Sequence, residues 1–542
     1  MFKLFLTIAL LMASLPAGAA VRAPLDGVTL DRTHATLRTG TETLHPVHID
    51  QAWFEGSDSQ RRLWLPSTDL FPQAARFSRS VRSRDGNWTW IGKVTTQSGE
   101  QSVILTFGKD AMFGIIPQQS GLPLRVETIR GRSWLVEGAG LTPELLSGGK
   151  SDAIIPPRLL PPVAPGTKRH TAGSAATPLV DVLVAYTPSM VTQFGSDSAV
   201  QTRIAFIESF TNQAYLDSQA NIQIRVVAKL PINYTAATDN SVALDLITAP
   251  STDPVKVQID SWRIQYGADL VSLVRAYDPV SQTSGGIGYL LGYHGSAFDP
   301  AYGFSVVGDC SSTSGFYCSG VVFAHELGHN MGCNHDDATN GGDYGAYIYS
   351  RGYRQDSPSP GFFTIMAYPQ GFQTQVNLYS NPRINNCQGQ PCGVSDFADN
   401  ALSLTTAAPS LAAFVATVVP PPPTLSIADA SATSGSGSTL MTFTITLSGP
   451  APPQGVKFDI ATADARSPGN AARAGRDYFA NRLVGQFIAS GQDSTTFVVK
   501  IAGSTSPEAT RVFRVVISNP VDAMLARDSA LGTIFYTYAG LY

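Results

Sequence analysis

The spacing of apolar positions divides the chain into three regions. Between residues 20 and about 170, runs such as Trp88-Thr89-Trp90-Ile91-Gly92-Lys93-Val94 and Ser102-Val103-Ile104-Leu105-Thr106-Phe107 alternate or run apolar between Gly and Asp-Gly turn signals. That pattern predicts short strands and a β-rich unit. From residue 179 the period changes. Strands are predicted at 180–186, 222–228 and 268–274, and helices at 199–219, 255–266 and 398–415, the first marked by Ile204, Ile207, Phe210, Tyr215 and Leu216. The run Gly286-Ile287-Gly288-Tyr289-Leu290-Leu291 has the composition of a short strand at a sheet edge. Strands alternating with helices predict an α/β layer with a mixed, mostly parallel sheet. Beyond the prolines at 420–423, period-two runs return, as in Met441-Thr442-Phe443-Thr444-Ile445-Thr446-Leu447, and predict an all-β sandwich.

The expected organisation is therefore multidomain: residues 1–19, 20–172, 173–416, a proline-rich linker at 417–424, and 425–542. The first segment has the layout of an export signal, with Lys3, an apolar stretch over 4–15, and the small-residue site Ala17-Gly18-Ala19. No later apolar run approaches the ~20 residues that span a bilayer, so a soluble, exported monomer is expected. A Pro-rich, basic stretch from 156 to 170 fits either a plain linker or a site of proteolytic processing.

Composition removes some function classes. Charged residues make up only 14% of the chain, the formal net charge is −4, and no basic block occurs, which excludes the concentrated positive face that nucleic acid requires. The five cysteines suit an oxidising compartment. Cys310 with Cys318, and Cys387 with Cys392, are the simplest disulfide pairs, leaving Cys333 to pack as a small apolar side chain or to pair structurally.

Candidate chemistry is concentrated in residues 320–336, GVVFAHELGHNMGCNHD. His325 and His329 are four apart, one helical turn, so they project from one face and can share a metal. Glu326 stands beside the first of them, placed to take a proton from a water at that metal. Gly332 permits a left-handed exit that lets the chain double back and bring in His335. Three neutral imidazoles leave a fourth position open, the pattern of a catalytic zinc site. Three of the four histidines after residue 170 lie in this motif, which argues against accident.

The segment HExxHxxGxxH, followed by Thr364-Ile365-Met366-Ala367-Tyr368, resembles the signature and methionine turn of the metzincin metallopeptidases over about residues 178–415. Asp336 after the third histidine is similar to the adamalysin/reprolysin branch, and residues 85–88, Asp-Gly-Asn-Trp, resemble propeptides of bacterial members. The resemblance implies a secreted zinc endopeptidase made as a proenzyme. It implies His325, His329 and His335 as ligands, Glu326 as general base, Met366 as an apolar floor, and Asp336 as a structural hydrogen-bonding residue. Tyr368 is a candidate helper in the transition state, and Gly286, Ile287, Gly288, Tyr289 and Leu290 a candidate edge strand for extended peptide substrates. With no cysteine before residue 310, a propeptide cysteine cannot silence the zinc; a propeptide carboxylate, His34, His45, His48 or steric cover are the alternatives. Arg351, Arg354 and Arg383 are candidates for an acid-binding pocket.

The C-terminal region resembles a Calx-beta module through Leu447-Ser448, Thr462-Ala463-Asp464, Gly475-Arg476-Asp477-Tyr478, Glu508 and Ile517-Ser518-Asn519-Pro520. Asp464, Asp477 and Glu508 are its candidate calcium ligands, with serines and Phe535-Tyr536-Thr537 where further acids would stand. A different class of function is also open: an inert zinc-protease scaffold that adheres through its β module.

Overall fold

A computed structural model describes residues 27–138, 152–161, 177–310 and 320–536, with short breaks inside the first and last stretches. The export-signal segment, Cys318, Glu508 and the basic residues 168–169 lie outside the described residues.

The central layer is a six-stranded sheet in the order Ala153–Ile154, Gly286–Tyr289, Phe304–Asp309, Leu270–Ala276, Leu179–Tyr186 and Gln223–Pro231. The last four are mutually parallel. Gly286–Tyr289 runs antiparallel to Phe304–Asp309, with Gly286 opposite Val307 and Gly288 opposite Ser305. Leu179–Tyr186 is buried on both faces from Val180 onward, which explains its near-continuous apolar run. Helices cover the faces. Asp197–Asp217 starts at Ser196, whose side chain accepts from the Ala199 amide. Pro254–Tyr266 has Pro at its start, where the missing N–H costs nothing, and ends at Gly267 in the left-handed region.

The helix Val321–Asn330 is buried at all ten positions, so it shows no amphipathic period. Asn330 fastens it to the sheet, its Nδ2 donating to the carbonyls of Tyr289 and Phe304 at 3.0 Å each. The Tyr379 hydroxyl donates to the Ala324 carbonyl at 2.7 Å.

On one side lies a ten-stranded, largely antiparallel sheet built from residues 28–137. Most of its apolar side chains form their own core around Trp88, Trp90 and Phe107. Ile104, Phe113 and Ile115 instead join the core of the α/β layer, and Phe113 meets Phe194 edge-on at 5.2 Å. The Asp85–Trp88 stretch lies at this junction. Asp85 pairs with Lys229 at 2.6 Å, and the Asn87 side-chain Oδ1 accepts from the Thr202 hydroxyl at 2.8 Å.

Residues 424–536 form a sandwich of a four- and a five-stranded sheet around a separate core that includes Phe443, Phe458, Tyr478 and Phe513. Asp464 accepts from the Tyr478 hydroxyl at 2.7 Å and the Ala474 amide at 3.1 Å. Asp477 is buried and engaged by Arg476 at 3.0 Å and Arg511 at 3.7 Å. Cys387 and Cys392 are disulfide-bonded, Cys310 is also disulfide-bonded, and Cys333 is a free, buried thiol.

Candidate metal centre

The buried helix presents His325 and His329 on one side, and its exit brings the chain back. Met331 donates to the Leu327 carbonyl, Gly332 takes φ +83°, and the Cys333 amide reaches back to the Gly328 carbonyl at 2.9 Å. A Cβ at Gly332 would meet the Ala346 methyl at 2.6 Å, so both the backbone angle and the space require glycine. His335 follows on the returning chain, and its Nε2 lies 3.1 Å from that of His325.

Each helical histidine is held by its other nitrogen. His325 Nδ1–H donates to the Ile365 carbonyl at 2.7 Å, and His329 Nδ1–H to the Cys333 carbonyl at 2.8 Å. This fixes the tautomer and turns the Nε2 lone pairs inward, the second-layer support that metal-binding imidazoles usually have. Burial drives the His329 imidazole down to about 4, against the pull of Asp152, so it is neutral at neutral pH. Two imidazole nitrogens turned toward one point have no proton to share, and a cation is what reconciles them. The donor set suits zinc.

Asp152 completes the cluster. One oxygen lies 2.7 Å from His335 Nε2 and 3.3 Å from His329 Nε2, and the other 3.7 Å from His325 Nε2. All four donor atoms lie within 4.8 Å of one another. The Tyr368 hydroxyl donates to the same carboxylate. Burial pushes the Asp152 carboxyl up, but His335 and His325 together hold it well below the usual range. His34 is bound to Asp31, His45 faces Glu137, and His48 is exposed, so none of these three joins the cluster.

Glu326 lines a cavity of about 50 Å³ together with Asp152, Gly286, His325 and Tyr368, room enough for water. Val322, Phe363 and Ile365 form its apolar side. The glycines of the neighbouring strand make space: a Cβ at Gly286 would sit 2.3 Å from Glu326 Oε1, and one at Gly288 2.9 Å from the Glu326 carbonyl. Met366 is fully buried beneath the helix, against Gly328, where a Cβ would lie 2.5 Å from its sulfur. Asp336 caps the short helix Asp337–Asn340 and accepts from the Tyr368 amide at 3.2 Å, linking the third histidine to the methionine turn. Cys333 stays apart from the donors; burial pushes its thiol well up, which suits apolar packing.

Of the candidate edge strand, residues Gly286–Tyr289 form the strand, and Leu290 follows. Its outer side is not open. Ala153–Ile154 pairs with it in parallel, the Gly288 amide donating to the Asp152 carbonyl at 3.0 Å and the Leu290 amide to the Ile154 carbonyl at 2.8 Å. Of the three arginines, Arg351 is bonded to the Asp343 carbonyl and Arg383 to Asp399, whereas Arg354 lies beside the site, donating to the Tyr368 carbonyl at 3.0 Å and standing 3.5 Å from Asp336.

Residues 177–398 match the reprolysin-like family M12B of metallopeptidases. The likeness to that family lies in this stretch alone. Among relatives, the domain is similar to a peptidyl-Asp metalloendopeptidase of Pseudomonas aeruginosa, 36% identical over 277 residues, 46% of this chain and 42% of the relative. A second relative of that description, from Stenotrophomonas maltophilia, is 28% identical over 393 residues, 69% of this chain and 87% of its own. The chain thus spans less than half of the Pseudomonas relative's length. A solved Calx CBD1 domain matches 21% of the chain at 14% identity and a TM-score of 0.18, too low to assign the C-terminal sandwich.

Asp152, Asn330, Tyr379 and the glycine pair 286 and 288 were not singled out for these roles by sequence pattern. For the glycines a signal existed, since two of them inside a four-residue strand mark close approach of another group. Asp152 carries no local mark.

Proposed function

We propose that the protein is an exported zinc endopeptidase made as a proenzyme, with residues 20–172 as propeptide and 173–416 as catalytic domain. The observation that carries this reading is the convergence of three Nε2 atoms beside a cavity lined by Glu326. His325, His329 and His335 would hold the ion. When bound, zinc supplies Lewis-acid polarisation of the scissile carbonyl and acidifies water. Glu326 takes the proton of the attacking water and passes it to the departing amine. The Tyr368 hydroxyl, once released from Asp152, donates toward the developing oxyanion. An extended peptide pairs its backbone along Gly286–Tyr289, which orients the scissile bond. Among the described residues no helix is long and apolar enough to cross a membrane.

The variant Glu326→Ala is expected to lose at least ~10²-fold in casein hydrolysis, the scale of a general base, with one zinc per chain retained. Wild-type turnover in that variant removes Glu326 from the mechanism. The relatives' description makes cleavage beside aspartate the first specificity to test, by sequencing products from a mixed peptide library.

A second reading has its own support. Four donors closing on one point also describe a structural zinc site, as an inert adhesion scaffold would have. Casein hydrolysis that appears after removal of residues 20–172, stops with a chelator and returns with zinc supports the enzyme; its absence supports the scaffold.

A further inference from the structure

We infer that Asp152 is an internal latch: its carboxylate occupies the fourth zinc position, and the strand that carries it covers the substrate edge. The inference rests on the zinc-site reading above and names how that site is kept closed.

Three contacts converge on this one short segment. The first is ionic. Asp152 is 4% exposed, and a carboxylate taken out of water is costly unless a cation or several donors compensate it. Among the described residues no Lys or Arg is paired with it, and it faces the three inward Nε2 atoms. With zinc held by the three imidazoles, it would supply an oxygen to the position they leave open. A water held there would lose its place.

The second contact is the backbone. The Asp152 and Ile154 carbonyls accept from Gly288 and Leu290, and a further bridge joins Leu160 to Ala297, the Ala297 amide donating at 3.2 Å. Residues 152–160 therefore lie along the groove that a peptide substrate needs. The segment is nevertheless a poor substrate where it lies. The atom nearest the imidazoles is a side-chain oxygen, and the Asp152 carbonyl is spent on the Gly288 amide rather than turned toward the ion.

The third contact is Tyr368, whose hydroxyl is tied to the Asp152 carboxylate. One residue thus holds the metal position, the edge strand and a candidate oxyanion donor together, and its departure frees all three.

The test uses the full chain in a Glu326→Ala background, so that self-cleavage cannot alter it. The protein is loaded with Co²⁺, and acetohydroxamate binding is followed by the visible spectrum of the ion. With Asp152 present, the hydroxamate has to displace a tethered ligand at high effective concentration. In the Asp152→Ala chain it is expected to bind at least about 100-fold more tightly, with a changed cobalt spectrum before any hydroxamate is added. Equal affinity and identical spectra in the two chains overturn the latch. If the alanine variant does not fold, Asp152→Asn keeps the shape and loses the charge, and unchanged affinity in that variant overturns the latch equally. A chain that binds no cobalt in either form fails for a different reason: the metal-site reading itself falls.

Discussion

A Cβ placed on Gly286 would lie 2.3 Å from Glu326 Oε1, and one on Gly328 2.5 Å from the Met366 sulfur. These two glycines set the room available to the Glu326 carboxylate and to the Met366 side chain beneath the helix. In Gly286→Ala the carboxylate has to move, and displacements of about 1 Å at a reacting centre can cost ~10²-fold. Hydrolysis by the matured enzyme is expected to fall at least about tenfold while zinc content, measured by metal analysis, stays at one per chain. Gly328→Ala tests a competition. Alanine gains about 1 kcal/mol of helix propensity over glycine, whereas overpacking a filled core costs about 1–3 kcal/mol. A net loss of up to about 2 kcal/mol in urea unfolding is expected, and a stabilised variant would show that Met366 has room to retreat. At this scale the placement of His325, His329 and Glu326 was legible because it follows from spacing along one helix. The glycines' purpose was not, because it depends on what another element brings against them.

Among elements, the helix Val321–Asn330 owes its position to its last residue. Asn330 bridges the carbonyls of Tyr289 and Phe304 with one buried amide group. Asn330→Ala leaves both without that donor, and a buried group left unsatisfied costs about 1–3 kcal/mol. Thermal or urea unfolding should show a loss of that order, and activity should fall with it as the helix loosens from the strand that lines the site. The edge strand shows the limit of sequence reading most clearly. Its glycine-marked composition predicts a sheet edge, whereas in the structure it is the second strand of the sheet. The strand that covers it is only two residues long, Ala153–Ile154, too short for any periodicity to declare. Asp152 reaches His329 across 177 positions of sequence, and no local pattern carries a contact made by such a pairing.

At the scale of the molecule, two cores of different independence predict different behaviour on heating. Ile104, Phe113 and Ile115 of the N-terminal sheet lie in the same core as the α/β layer, whereas the sandwich from Thr424 onward has its own. Calorimetry should therefore show the C-terminal sandwich melting as a separate transition, and truncation before residue 424 should remove that transition and leave the other. Loss of the main transition on truncation would show that the linker contacts, Arg225 to the carbonyls of Val419 and Pro420, carry more than their number suggests. Phe113→Ala should lower the main transition alone, by about 3–5 kcal/mol in unfolding free energy. What the sequence by itself determined was the order of strand-rich and mixed regions, the mostly parallel character of the central sheet and the spacing that gathers the histidine motif. Each of these follows from periodicity or spacing within one element, where covalent geometry sets distance. What only the tertiary structure decided was which acid faces the histidines, which strand covers the edge and where Tyr368 spends its proton. Those depend on the pairing of segments far apart in the chain, chosen by the burial of the whole rather than by any residue's neighbours.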